Sequence, residues 1–146
     1  MLLIECTYNA ACHTGGIFAG ITIGQILIAT FLSILFLQSG LDKVFNYQSE
    51  LTWTTQHFST SPLKKIVKLL FIKLIFLELF TGVVNVAAIL FVFVGCSSCW
   101  FYWGSVLSCI SLLALFFGQR IAKDYAGAAS LVSYFILSVI GLILCF

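Results

Sequence analysis

The sequence predicts an all-α integral membrane protein, a single domain over residues 1–146 built as a four-helix bundle. Three observations carry this. Of the 146 residues, 62% are hydrophobic and only 8% are charged, about a third of the charge of an ordinary soluble domain. Four long apolar stretches are each able to cross a hydrocarbon core of about 30 Å. The chain has a single Pro, at position 62, so no ring breaks a helix inside any stretch. The net charge of +2 rests on seven basic residues, too few to form a stripe along nucleic acid. The expected partner is the lipid bilayer, not nucleic acid.

Residues 1–15 form a short polar lead containing Cys6, Cys12 and His13. Met1 to Ile4 is apolar, but Glu5 follows and no basic segment precedes it, so a signal peptide is not expected. The first span covers about 16–40. Gly16, Gly20 and Gly24 recur every four residues there, a small-residue pattern that admits a second helix closely. That helix belongs either to the same chain or to a second copy in a homo-oligomer. The connection 41–65 is polar but aromatic-rich. Tyr47, Trp53 and Phe58 suit a membrane interface, and His57 beside Trp53 is expected there as well.

Ser61-Pro62 signals a helix start, because Ser caps and Pro is tolerated in a first turn. The second span, about 66–94, begins amphipathically with Lys64, Lys65 and Lys68 nearby. Its 29 residues would measure about 43 Å, so the first turns must project from the core or lie among headgroups. GCSSC at 95–99 is a tight connection. The third span, about 100–118, opens with WFYW, an aromatic belt, and places Gly104, Ser108 and Ser111 on one face. After QRIAKDYAG comes the fourth span, about 126–146, with Gly127, Ser130, Tyr134, Ser138 and Gly141 along one inward stripe.

Orientation follows from charge. All seven basic residues (Lys43, Lys64, Lys65, Lys68, Lys73, Arg120 and Lys123) fall at one side of such a bundle. The positive-inside rule puts that side in the cytoplasm and both termini outside.

The stretch Phe71 to Asn85, FIKLIFLELFTGVVN, holds the main functional candidate. An ionisable residue within a span costs about 2.5–3.5 kcal/mol on insertion scales, so it faces a bundle interior and marks function. Glu78, Gly82 and Asn85 share a face at i, i+4 and i+7. Gln38, Asp42 and Lys43 end the first helix at the same level, where Gln119, Arg120 and Asp124 follow the third. The expected interior polar site is therefore Gln38, Asp42, Lys43, Glu78, Asn85 and Arg120, with Gln38 and Asp42 facing inward together. Lys43 and Arg120 are the candidate counter-ions, because an isolated buried charge is strongly disfavoured. Lys73 lies about 140° around the helix from Glu78 and is expected to snorkel to the headgroups. Three roles fit such a site: a structural ion-pair network, a ligand site for a quinone head group or small anion, and a proton relay through Glu78.

The cysteines form a second group. Cys6, Cys12, Cys96 and Cys99 fall on the predicted outer side with Cys145 near it, whereas Cys109 is mid-span and reads as a small hydrophobe. Cys96 and Cys99 have the C-x-x-C spacing that lowers a thiol pKa, at a helix start whose dipole favours a thiolate. Structural disulfides and a quinone-coupled thiol oxidoreductase, with Cys96/Cys99 as its membrane-proximal pair and Cys6/Cys12 as a shuttle, both fit. A soft-metal site adding His13 would need a ligand spacing that matches no standard pattern. No haem-type His pair, nucleotide motif or nucleophile with a base is visible, so catalysis is left open.

The runs FLQSGLDKVF at 36–45, LELFTG at 77–82 and GQRIAKDYAGAASLVSYF at 118–135 resemble the DoxX family of small bacterial four-helix membrane proteins. MauE-type redox-associated proteins are similar too. The resemblance covers roughly residues 31–142, and its motif residues are Gly40, Lys43, Glu78 and Gly82. It implies a bacterial inner-membrane protein associated with quinone or sulfur redox chemistry, or with holding and assembling a membrane or extracytoplasmic protein partner. The cysteine lead and the Cys96/Cys99 turn fall outside that pattern.

Overall fold

Five helices follow one another in the computed structural model, which describes the backbone of residues 16–58, 66–92 and 97–145 and the side chains within 21–58, 66–91 and 100–145. They are α1 (Gly16–Phe45), α2 (Tyr47–His57), α3 (Val67–Val92), α4 (Ser97–Ile121) and α5 (Tyr125–Ile143). Four of them, all except α2, are long and apolar enough to cross a membrane. The protein is an all-α four-helix bundle and, by that composition, a multi-pass membrane protein. The expectations for the cysteine lead, for the Ser61-Pro62 helix start and for residues 93–96 lie outside the described residues.

Neighbouring spans run antiparallel. Gly40 and Leu37 of α1 face Leu79 and Gly82 of α3. Between α3 and α4, Thr81 meets Ser111 and Asn85 meets Ser108. Ser105 of α4 lies against Gly141 of α5. Helix α5 returns to α1, where Gln25 Nε2 donates to the Leu144 carbonyl at 2.9 Å. Ile28, Ala29, Leu32 and Phe36 of α1 make the centre with Ala88, Phe101 and Leu112. Long apolar side chains such as Ile23, Phe76, Phe80 and Ile136 point outward, as lipid contact requires. Association between such helices relies on close packing and interhelical hydrogen bonds, because lipid is as apolar as leucine.

The close approach is at the α1–α3 crossing. A Cβ on Gly82 would lie 2.7 Å from Leu37 Cγ and 3.1 Å from the Leu37 backbone nitrogen; one on Gly40 would lie 2.7 Å from Leu79 Cδ2. Each glycine receives the other helix's leucine. The expectation for the first span was different. A Cβ on Gly24 would meet Leu144 at an ordinary 3.7 Å, so Gly24 is not a close-approach site, and the surroundings of Gly16 and Gly20 are not described.

The polar connection also differs from expectation. Helix α1 runs on to Phe45 and α2 fills Tyr47–His57. No α2 residue is fully buried, so it lacks the apolar periodicity that reveals a packed helix. Its Thr52 and Thr55 hydroxyls donate to the carbonyls of Gln48 and Leu51. Because Gly40 lies opposite Leu79 and α1 ends at Phe45, about the first seven residues of α3 extend past the end of α1, about 10 Å of helix. Helix α2 packs there, with the Tyr47 and Phe71 rings 5.8 Å apart.

Helix α4 extends to Ile121 before Lys123 reverses the chain at φ 64°. Asp124 then caps α5, accepting from the Gly127 N–H at 2.9 Å. On α5, Ser138 and Gly141 face inward as expected, but Ser130 is exposed and Ala128 is buried instead. Ser130 directs its hydroxyl to its own helix, donating to the Gly127 carbonyl.

The α1–α3 contact is sensitive to a single methyl group. Gly82→Ala should destabilise the protein by about 1–3 kcal/mol through overpacking against Leu37, read as a lowered melting temperature in detergent. An unchanged midpoint would show that the crossing relaxes freely.

Candidate functional site

Glu78 is completely buried on α3, and Lys43 near the end of α1 is its partner. Lys43 Nζ stands 3.1 Å from Oε1 and 3.0 Å from Oε2. Ser39, one turn before Lys43, completes the group: its hydroxyl donates to Glu78 Oε1 at 3.1 Å and accepts from Lys43 at 2.6 Å. The ammonium also reaches the Ser39 carbonyl at 3.3 Å. The Lys43 side chain keeps 18% of its surface and Glu78 none, so the pair is sheltered on one side and open on the other.

On its open side is a cavity of about 450 Å³. Helix α2 supplies Trp53 and Thr54, Phe58 follows as its C-cap, the first turns of α3 supply Phe71 and Leu74, and α4 supplies Leu115 and Gln119. Ser39, Lys43 and Glu78 form part of its wall, and Lys73 and Glu50 lie farther along it. The His57 ring stacks on Trp53 at 4.7 Å. A volume of this size, apolar on most sides with a few convergent polar groups, has the character of a small-molecule site.

A second polar run continues along the α3–α4 interface. Thr81 and Ser111 share a hydrogen bond of 2.7 Å. Asn85 Nδ2 donates to the Thr81 carbonyl at 2.9 Å and to Ser108 Oγ at 3.1 Å. All four residues, with Ser105 and Ser138, are fully buried. Two glycines make room for oxygens here: a Cβ on Gly104 would lie 3.0 Å from Asn85 Oδ1, and one on Gly141 would lie 3.0 Å from Ser105 Oγ. This is the small-residue face expected of the third span, and it works by hydrogen bonding as well as by close packing.

The six expected site residues therefore separate. Lys43 and Glu78 meet. Asn85 is buried as expected, but in the α3–α4 seam. Gln38 and Asp42 are exposed, which corrects their inward assignment. They do share a face, but one residue's rotation of about 100° separates it from the face of Ser39 and Lys43; Asp42 accepts from Asn46 Nδ2 at 2.7 Å instead. Arg120 is also exposed, with its guanidinium 4.8 Å from the Tyr125 ring centroid, so it is not the counter-ion. Lys73 is exposed, in keeping with snorkelling. Sequence reasoning missed Ser39, signalled only by its i, i+4 relation to Lys43, and the cavity residues of α2.

Among the cysteines, Cys6, Cys12 and Cys96 lie outside the described residues. Only the backbone of Cys99 is described, as the third residue of α4. Cys109 is half-buried in mid-helix, and the Cys145 thiol donates to the Gly141 carbonyl at 3.5 Å.

Comparison of the chain with protein-family models, curated proteins and solved structures finds no match. The functional reading therefore rests on the site.

A buried carboxylate that loses its cation is costly, whereas replacing both partners by apolar groups is often neutral. Lys43→Met should cost about 3–5 kcal/mol of stability, and Lys43→Met with Glu78→Met together should recover most of it. A thermal-melt double-mutant cycle in detergent reads this directly. Additive losses would mean that the two charges do not act as a pair.

Proposed function

We propose that this chain is a DoxX-like, redox-associated accessory protein of the bacterial inner membrane that holds a quinone head group beside Lys43 and Glu78. One observation carries the reading: a fully buried, ion-paired carboxylate stands in the wall of an apolar cavity of ligand size. An ion pair that only tied helices together would need no such space beside it. The DoxX resemblance gains support because its four motif residues converge. Gly40 and Gly82 make the α1–α3 crossing, and Lys43 and Glu78 make the pair next to it. The basic end of the bundle is read as cytoplasmic, with both termini outside.

A short-chain azidoquinone tests the ligand. Photolysis with the protein in nanodiscs should label peptides containing Phe71–Leu74 or Leu115–Gln119, and an excess of unmodified quinone should compete. Labelling confined to lipid-facing positions on the other helices would sink the proposal.

The second reading is thiol exchange at Cys96 and Cys99. It is favoured by the position of Cys99 in the first turn of α4, where the helix dipole stabilises a thiolate. Differential alkylation of intact cells with an impermeant maleimide, before and after reduction, tests thiol state and orientation together. Thiols that react from outside and cycle with respiratory state would support exchange. A pair oxidised under every condition would exclude it, and reaction only after the membrane is breached would overturn the orientation.

A further inference from the structure

Five buried side-chain atoms lack a hydrogen-bond partner among the described residues: His57 Nε2, Glu78 Oε2, Asn85 Oδ1, Ser105 Oγ and Gln119 Oε1. Asn85 Oδ1 and Ser105 Oγ rest against glycines in the α3–α4 and α4–α5 contacts, where a weak Cα–H contact serves an oxygen. Two of the other three, Glu78 Oε2 and Gln119 Oε1, are on residues of the cavity wall, and His57 stacks on Trp53, which lines the cavity as well. Buried polar atoms are nearly always bonded, so a pair of unsatisfied ones beside a cavity calls for an explanation.

The chemistry of these atoms indicates what is missing. Glu78 Oε2 and Gln119 Oε1 accept hydrogen bonds and donate none. Lys43 has no hydrogen to offer a ligand, since its three go to Glu78 Oε1, the Ser39 hydroxyl and the Ser39 carbonyl, and Oε2 at 3.0 Å receives its charge without a hydrogen bond. The inner end of the cavity therefore lacks a hydrogen-bond donor. An ammonium head group would donate, but the lining sets two cations, Lys43 and Lys73, against two carboxylates, Glu50 and Glu78, with Glu78 already paired, so no net negative charge is left to hold it. A carboxylate or phosphate would bring another acceptor to Glu78. A neutral hydroxyl meets both conditions. About 450 Å³ suits a ring and part of one chain rather than the two acyl chains of a phospholipid.

We propose that the cavity binds a neutral, single-tailed amphiphile through a hydroxyl head group, an alcohol or phenol whose O–H is donated to Glu78 Oε2 or Gln119 Oε1. This rests on the reading of the cavity as a ligand site and adds a direction to it. A quinol carries such a hydrogen, whereas the corresponding quinone carries only acceptors, so the reduced member of the pair is held more tightly.

The test compares molecules that differ in that hydrogen alone. Protein in nanodiscs is titrated with 4-nonylphenol and with its methyl ether, and empty nanodiscs correct for partition into lipid. The phenol should bind at least about tenfold more tightly, the scale of one hydrogen bond to a charged acceptor. Gln119→Leu, which leaves the ion pair intact, should narrow the gap, and Ala114→Phe at the cavity wall should abolish phenol binding. Equal affinities for phenol and ether, or phenol binding unaltered by Ala114→Phe, would overturn the inference. A short-chain quinol that displaces the phenol better than its quinone would support it; the reverse order would overturn it. If neither displaces the phenol while the preference over the ether holds, hydroxyl recognition stands and the quinone assignment in the proposed function falls.

Discussion

A carboxylate with no exposed surface is tolerated in this bundle because one ammonium reaches both of its oxygens. That contact depends on the distance between two helix backbones. The glycines of the α1–α3 crossing let leucines of the opposite helix seat against main chain, and the Lys43 side chain then reaches Glu78 with Ser39 between them. A buried ion pair is weak evidence of stability, since desolvation offsets much of the attraction. Its firmer physical meaning is register: α1 and α3 can slide past one another only by stranding a charge.

The same register lays out the rest. With Lys43 opposite Glu78, the early turns of α3 have no span of α1 beside them. Helix α2 occupies that place without burying any residue completely, and the imperfect fit leaves the cavity. Farther along, Thr81, Asn85, Ser108 and Ser111 bond across the α3–α4 interface, which gives that contact a direction that leucine packing alone lacks. The molecule is thus tightly specified along the α3–α4 seam and loosely filled at its basic end, the arrangement expected of a scaffold that holds a site.

The fold class was legible because membrane helices are long, apolar and sharply bounded by polar residues. The inward face of α3 was legible for a related reason: Glu78, Gly82 and Asn85 share a helical face, and a charge within a span has few places to point. The phase of α1 was harder to read. Gln38, Ser39, Asp42 and Lys43 are all polar, so composition does not distinguish the Ser39/Lys43 face from the Gln38/Asp42 face about 100° away. Only the partner helix decides. For Arg120, a shared membrane depth does not mean proximity to Glu78: its guanidinium lies over the Tyr125 ring and is exposed. Helix α2 went unseen because a helix that buries no residue leaves no periodic trace.

The ion pair also gives the order of synthesis a physical meaning. Lys43 belongs to a span that leaves the ribosome before the one that carries Glu78. A nascent α3 entering lipid alone would carry its carboxylate at a cost of about 2.5–3.5 kcal/mol. With α1 already in the bilayer, the counter-ion is waiting, and the glycine crossing lets the two segments meet as a hairpin. The span that carries the buried carboxylate is thereby helped by its predecessor, a physical reason for α1 and α3 to settle in the bilayer as a pair.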